Sequence, residues 1–146
     1  MDRTALDAWR ALLTVHAEIV PRLAAELEDE AGLPLTWYDV LLHLYEADGH
    51  RLRMHQLAAS RLLSRSATTR FIDRMEDAGL VARVAAPDDG RGVEVSLTAE
   101  GERALRAAAP VHLAGIRRYF ATHLTSEQAA AVAGALTAVA DAVRRE

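Results

Sequence analysis

The chain is expected to fold as a mainly α-helical protein that carries one small β-hairpin. Three observations predict this. Apolar residues recur at spacings of three and four along most of the chain, one stretch switches to strict alternation, and a charged, glycine-rich break divides that stretch. The switch falls in "SRSATTRFIDRMEDAGLVARVAAPDDGRGVEVSLTAEG", residues 64–101, which begins at helical spacing and ends in V-x-V-x-L.

Taken in order, residues 4–30 read as a helix with Leu6, Trp9, Leu13, His16, Val20, Leu23 and Leu27 on one stripe, and Pro21 predicts a kink within it. Gly32 and Pro34 end it. Thr36 is expected to cap a second helix, with Asp39 near its positive end and Val40, Leu41, Leu44 and Tyr45 turned inward. "ADGH" at 47–50 is a turn. Met54, Leu57, Ala58, Arg61 and Leu62 outline a short helix, and Ser64 is a natural cap for the next. That next helix is expected to bury Ala67, Phe71, Met75 and Ala78, with Gly79 just past its end. Two short helices across a three- to four-residue break form a helix-turn-helix. "LVARV" and "GVEVSL" then read as strands, with Val93, Val95 and Leu97 on a buried face. Thr98 caps a long helix that runs to about His123 and is interrupted by Pro110. Thr125 and Gln128 form a capping box for a last helix with a Val132, Leu136, Val139, Val143 seam.

Composition narrows the function classes. About half of the 146 residues are apolar, enough for a packed core, and the absence of cysteine excludes disulfides, thiolate metal sites and thiol redox sensing. No secretory segment is visible near the start, so the expected location is cytoplasmic. The net charge is −4, yet its distribution is uneven. All 17 cations are arginines; residues 51–74 hold six of them against one acid, net +5, while the remainder is −9. A locally basic face on an acidic chain suits an anionic polymer.

With Phe71 taken as the inward direction at about 100° per residue, Arg65, Ser66, Thr69 and Asp73 turn outward, Arg70 flanks them, and Arg74 lies near the core edge. Donors gather at the start of this helix and the acids Asp73, Glu76 and Asp77 come later, a polarity that suits insertion of the N-terminal end into a major groove. In the hairpin loop, Arg91 follows Asp88, Asp89 and Gly90. It is expected to reach a narrow minor groove, with Asp89 pairing its guanidinium.

Residues 57–101 resemble the winged helix-turn-helix core of the MarR family of bacterial transcription regulators. The matching positions are Leu57-Ala58, Thr69-Arg70, Asp73-Arg74, Gly79-Leu80-Val81, Arg83, Asp89-x-Arg91 and Leu97-Thr98 with Gly101. The resemblance implies a winged helix-turn-helix lobe at about 34–98, with 1–32 and 99–146 as dimerisation helices. It further implies a homodimer on a pseudo-palindromic duplex, acting as a repressor released by a small aromatic or lipophilic, often anionic, effector. Ser64, Arg65, Ser66, Thr69, Arg70 and Arg91 map to DNA contacts, and Asp89, Gly90 and Arg74 to support of the wing. Trp9, His16, Tyr38 and His112 are amphipathic groups expected to line an effector pocket.

Other classes fare worse. Six histidines raise a metal-sensing module, but no H-x-x-x-H or H-E-x-x-H spacing is present, so neither a metal nor a cofactor is expected. No nucleophile stands at usable spacing from a base, which argues against an enzyme. A helical protein-interaction module is the stronger rival; Arg65 and Arg91 count against it.

Overall fold

The computed structural model describes residues 1–61, 65–86 and 92–146, without the side chains of residues 60, 61 and 65. Its elements are α1 (Arg3–Ala31), α2 (Leu35–Glu46), β1 (Arg51–Arg53), α3 (Met54–Arg61), α4 (Arg65–Asp77), β2 (Val81–Ala85), β3 (Val93–Leu97), α5 (Ala99–Tyr119) and α6 (Ser126–Arg144). Short 3-10 turns cover Asp48–His50 and Ala121–His123. The chain divides into two compact units, Ala24–Val111 and the pairing of Met1–Leu23 with His112–Glu146. No described helix is long and apolar enough to cross a membrane.

The Ala24–Val111 unit is built on a core of Leu27, Tyr38, Leu41, Leu44, Leu57, Ile72, Met75 and Val95. Helix α2 starts one residue before the expected cap. Pro34, extended at φ −58° and ψ 138°, is the N-cap, and its carbonyl accepts from the N–H groups of Trp37 and Tyr38 at 3.0 Å. Proline loses nothing there, because its missing N–H would have had no helical partner. Thr36 therefore lies inside the helix, and Asp39 lies beyond its first turn. The buried residue at one edge of α2 is Tyr38, not Tyr45, which is exposed with its ring 5.1 Å from that of His50.

A strand absent from the sequence reading precedes α3. β1 pairs with β3 antiparallel, Leu52 opposite Val95, and the sheet runs β1-β3-β2. β3 is thus the central strand. Val95 is fully buried, whereas Val93 reaches beyond the core and is half exposed. On the opposite face Glu94 is buried, 3.8 Å from the Arg51 guanidinium.

One knot of hydrogen bonds joins α4, β2 and α5. Gly79, at φ +78°, donates to Glu76 O, and the next residue, Leu80, donates to Met75 O at 3.1 Å, which closes α4 in a Schellman turn. The Thr98 hydroxyl donates to Gly79 O at 2.7 Å and accepts from Gly101 N at 3.0 Å, so one side chain caps α5 and pins the end of α4. Helix α5 then runs through Pro110 without ending and stops at Tyr119; α1 likewise continues through Pro21.

In the other unit, the Thr125–Gln128 capping box is formed at the start of α6. Leu23 is its buried end of the α1 stripe, while Trp9 (56% exposed), Leu13, Leu113, Val139 (61%) and Val143 stay uncovered. The seam of α6 is at most partly covered: no residue of that helix is buried.

Candidate nucleic-acid interface

Helix α4 places the donors. Its buried line is Thr68, Ile72 and Met75, at i, i+4 and i+7, and Phe71 is only partly covered. The inward direction is therefore turned by about 70° from the sequence expectation, with Met75 inward in both. Phe71 is the larger side chain, but Ile72 belongs to the buried core cluster with Leu41, Leu57 and Val95, which Phe71 only borders. The turn has consequences for the outer face. Ser66 and Arg70 become central, Asp73 and Arg74 flank them, and Thr69 sits at the side; all are exposed. Arg74 stands in solvent and not near the core edge.

Ser64, Asp89, Gly90 and Arg91 lie outside the described residues, as does the side chain of Arg65, whose backbone opens α4. The hairpin that would carry Arg91 is closed at its base by the Ala86 N–H donating to Gly92 O at 2.9 Å.

The residue that orients α4 against the hairpin was not singled out for that role by the sequence: Arg83, in the middle of β2. Its backbone N–H donates to Glu76 Oε2 at 2.8 Å, and Nη1 donates to Glu76 Oε1 at 2.7 Å. Nη2 donates to Asp73 Oδ1 at 2.5 Å and to the Thr69 carbonyl at 3.3 Å. Three successive positions along α4 are thereby tied to one planar, forked cation that is three-quarters buried. Two of the three acids read from the sequence as marking the helix leaving a groove, Asp73 and Glu76, are thus held by the sheet.

This pairing has a pH signature. The Arg83 backbone N–H first, and its guanidinium second, hold the Glu76 carboxyl below its ordinary range. A depressed carboxyl adds stability that is complete above its unfolded value, about 4.3, and lost as pH falls through the lower folded value. A carbon-13 NMR titration is expected to place Glu76 below ordinary glutamates, and Arg83→Gln to move it back up. Equal midpoints in the two proteins would refute the pairing.

The residues expected to line an effector pocket are divided between the two units, Trp9, His16 and His112 in one and Tyr38 in the other. Tyr38 is sealed in the core of the Ala24–Val111 unit, where burial, and then the nearby Asp39 and Glu46 carboxylates, push its phenol up. Trp9 is largely exposed, and His112 is half-buried on α5. His16 lines a cavity of about 310 Å³, whose other walls include Val15, Ile19, Ile116, Phe120 and Leu136.

Two packed helices ending in a capped turn, followed by a hairpin whose central strand also pairs with a short leading strand, define a winged helix-turn-helix protein. Residues 31–92 match the MarR family model. AbsC, a MarR family transcriptional regulator from Streptomyces coelicolor, is 34% identical with a TM-score of 0.87, covering 100% of this chain and 98% of that one. Sco3205, a MarR family transcriptional regulator from the same organism solved in complex with DNA, is 31% identical with a TM-score of 0.85, covering 97% and 89%. A curated relative, the HTH-type transcriptional repressor YetL of Bacillus subtilis (strain 168), is 29% identical over 85 residues, 58% of this chain; the match spans about half of that protein's length, 51%. The chain belongs to the MarR family. It is a transcription regulator and not an enzyme.

Proposed function

We propose that the protein is a homodimeric, sequence-specific repressor that inserts α4 into the major groove of a pseudo-palindromic DNA and is released by a small aromatic or lipophilic effector. The observation that carries this reading is the outward face of α4, where Ser66, Thr69, Arg70 and Arg74 stand exposed on a helix clamped to the hairpin by Arg83. Arginine suits bidentate contact with guanine, and the hydroxyls suit base edges or phosphates. Arg65 and Ser64, at the leading end, and Arg91, in the hairpin loop, complete the contact set as proposals from the sequence, with Asp89 and Gly90 shaping the loop.

Dimerisation is supported by the uncovered apolar residues of α1, α5 and α6 in the Met1–Leu23 and His112–Glu146 unit. A second copy would bury them, with residues 1–32 and 99–146 as the dimerising helices and 34–98 as the DNA lobe. Two recognition helices then meet major grooves about 34 Å apart. The kinship with a DNA-bound regulator and with a named repressor supports the partner and the sign of regulation. The effector is assigned to the apolar cavity around His16, and a DNA-bound repressor acts in the cytoplasm.

The test is a titration of the purified protein against its own upstream DNA and a scrambled duplex, at several salt concentrations, with and without aromatic acids such as salicylate or urate. Affinity is expected to fall steeply with salt, because each neutralised phosphate releases counterions. Arg70→Ala, at the centre of the exposed face, is expected to cost roughly tenfold on the upstream DNA and less on the scrambled one. A flat salt response, or the same loss on both duplexes, would count against groove reading by α4.

A further inference from the structure

The base of the hairpin borders a second cationic feature, apart from the outward face of α4. A cleft of about 240 Å³ is lined by Arg53, Met54, His55, Thr69, Gly92 and Val93, among others, and none of the described residues in its wall is an acid. It draws on the last residue of β1, the first turn of α3, the flank of α4 and the start of β3.

The two arginines of β1 share one face of the sheet but differ in their electrostatics. Arg51 has the Glu94 carboxylate 3.8 Å from its Nε. Arg53 lies directly opposite Glu94 in the strand register, yet its guanidinium forms no ion pair with a described residue. It lies instead over Gly92, where a Cβ would come within 2.5 Å of Nη1. Its backbone is fixed separately, since Arg53 N donates to Gln56 Oε1 at 2.8 Å. Arg53 is thus a forked cation positioned by shape and by its main chain, with no ion pair to a carboxylate among the described residues. His55 and Thr69, both exposed, add an imidazole and a hydroxyl to the same cleft.

A guanidinium with two further donors, and no acid among the described residues of the wall, is complementary to a tetrahedral oxyanion. We propose that this cleft is a phosphate seat in which Arg53, with His55 and Thr69, takes one backbone phosphate of the bound duplex, between the recognition helix and the wing. This rests on the DNA-binding reading above. It adds a contact that carries no base information but sets the register of α4 in the groove. Glycine at position 92 follows from the same arrangement, because a side chain there would displace the Arg53 guanidinium.

The seat is tested with Arg53→Ala, His55→Ala and Arg53→Lys in the full-length protein, by fluorescence anisotropy on the upstream and scrambled duplexes across salt. Arg53→Ala is expected to weaken both by the same factor, roughly tenfold, and to lower the log–log salt slope by about 0.9 per protomer. Arg53→Lys, which keeps the charge, is expected to restore the slope. His55→Ala should act in the same direction more weakly. A merely structural role would lower melting temperature and leave the slope alone, and that result overturns the proposal. If the wild-type protein bound no duplex at any salt, the DNA reading would fall by itself. The seat would then be decided by inorganic phosphate, followed through the His55 imidazole NMR signals. Shifts abolished by Arg53→Ala sustain an anion seat, and no shift overturns it.

Discussion

Gly101→Ala is expected to lower the melting temperature by roughly 2–8 °C while leaving helix content nearly unchanged. Gly101 sits in the first turn of α5, where a Cβ would lie 2.1 Å from the Leu80 carbonyl oxygen and 2.8 Å from Leu97 Cδ1. Helix propensity alone would favour alanine by about 1 kcal/mol. The clash is larger, because the nearest atom is main chain. The Leu80 carbonyl also accepts from Thr98 N at 3.2 Å, so it cannot retreat without loosening the cap of α5. Overpacking of this kind costs about 1–3 kcal/mol, and for a chain of this size each kilocalorie is worth roughly 2–4 °C. Thermal unfolding by circular dichroism measures it. A melting temperature equal to or above the wild type would mean that α5 and β2 can part without cost.

Arg83→Ala is expected to have the largest effect on DNA affinity of any substitution outside the proposed contact surface. Arg83 binds the Thr69 carbonyl, Asp73 and Glu76 at once. Its removal leaves two carboxylates one helical turn apart without their shared cation, and like charges at that spacing destabilise a helix. It also frees α4 to rock against β2 and returns negative charge to the side of the molecule proposed to approach phosphates. A loss on the order of tenfold or more is expected, comparable to one bidentate base contact. Arg83→Lys should recover only part of it, since a single ammonium cannot serve both carboxylates and a carbonyl in the forked geometry. The two variants and the wild type are compared by anisotropy on the upstream duplex. Wild-type affinity in Arg83→Ala would show that α4 is held by its apolar contacts alone.

The two substitutions separate what is local from what is not. The Gly79 turn, the Thr98 cap and the Thr125–Gln128 box were each legible in a few consecutive residues. Such motifs satisfy orphan backbone groups with partners three to six residues away, so the spacing alone carries them. β1 was not legible, because three residues have no periodicity and "RLR" becomes a strand only when β3 pairs with it. Arg83 was visible as a residue and invisible as a clamp, since its partners lie seven and ten positions earlier, on a different element.

The sequence by itself determined the order of the helices and of the hairpin strands, the caps at Gly79, Thr98 and Thr125, and the family resemblance, all of which follow from short-range pattern and steric rules. The tertiary structure alone decided which side of α4 is buried, that Tyr38 is core, and which arginines of β1 and β2 are neutralised. Those outcomes depend on how a helix is rotated about its axis and on what lies across from it. A rotation of less than one residue step changes the neighbours while leaving the apolar spacing almost the same, so the pattern could not distinguish Phe71 from Ile72 as the inward residue; only packing against α3 and β2 could.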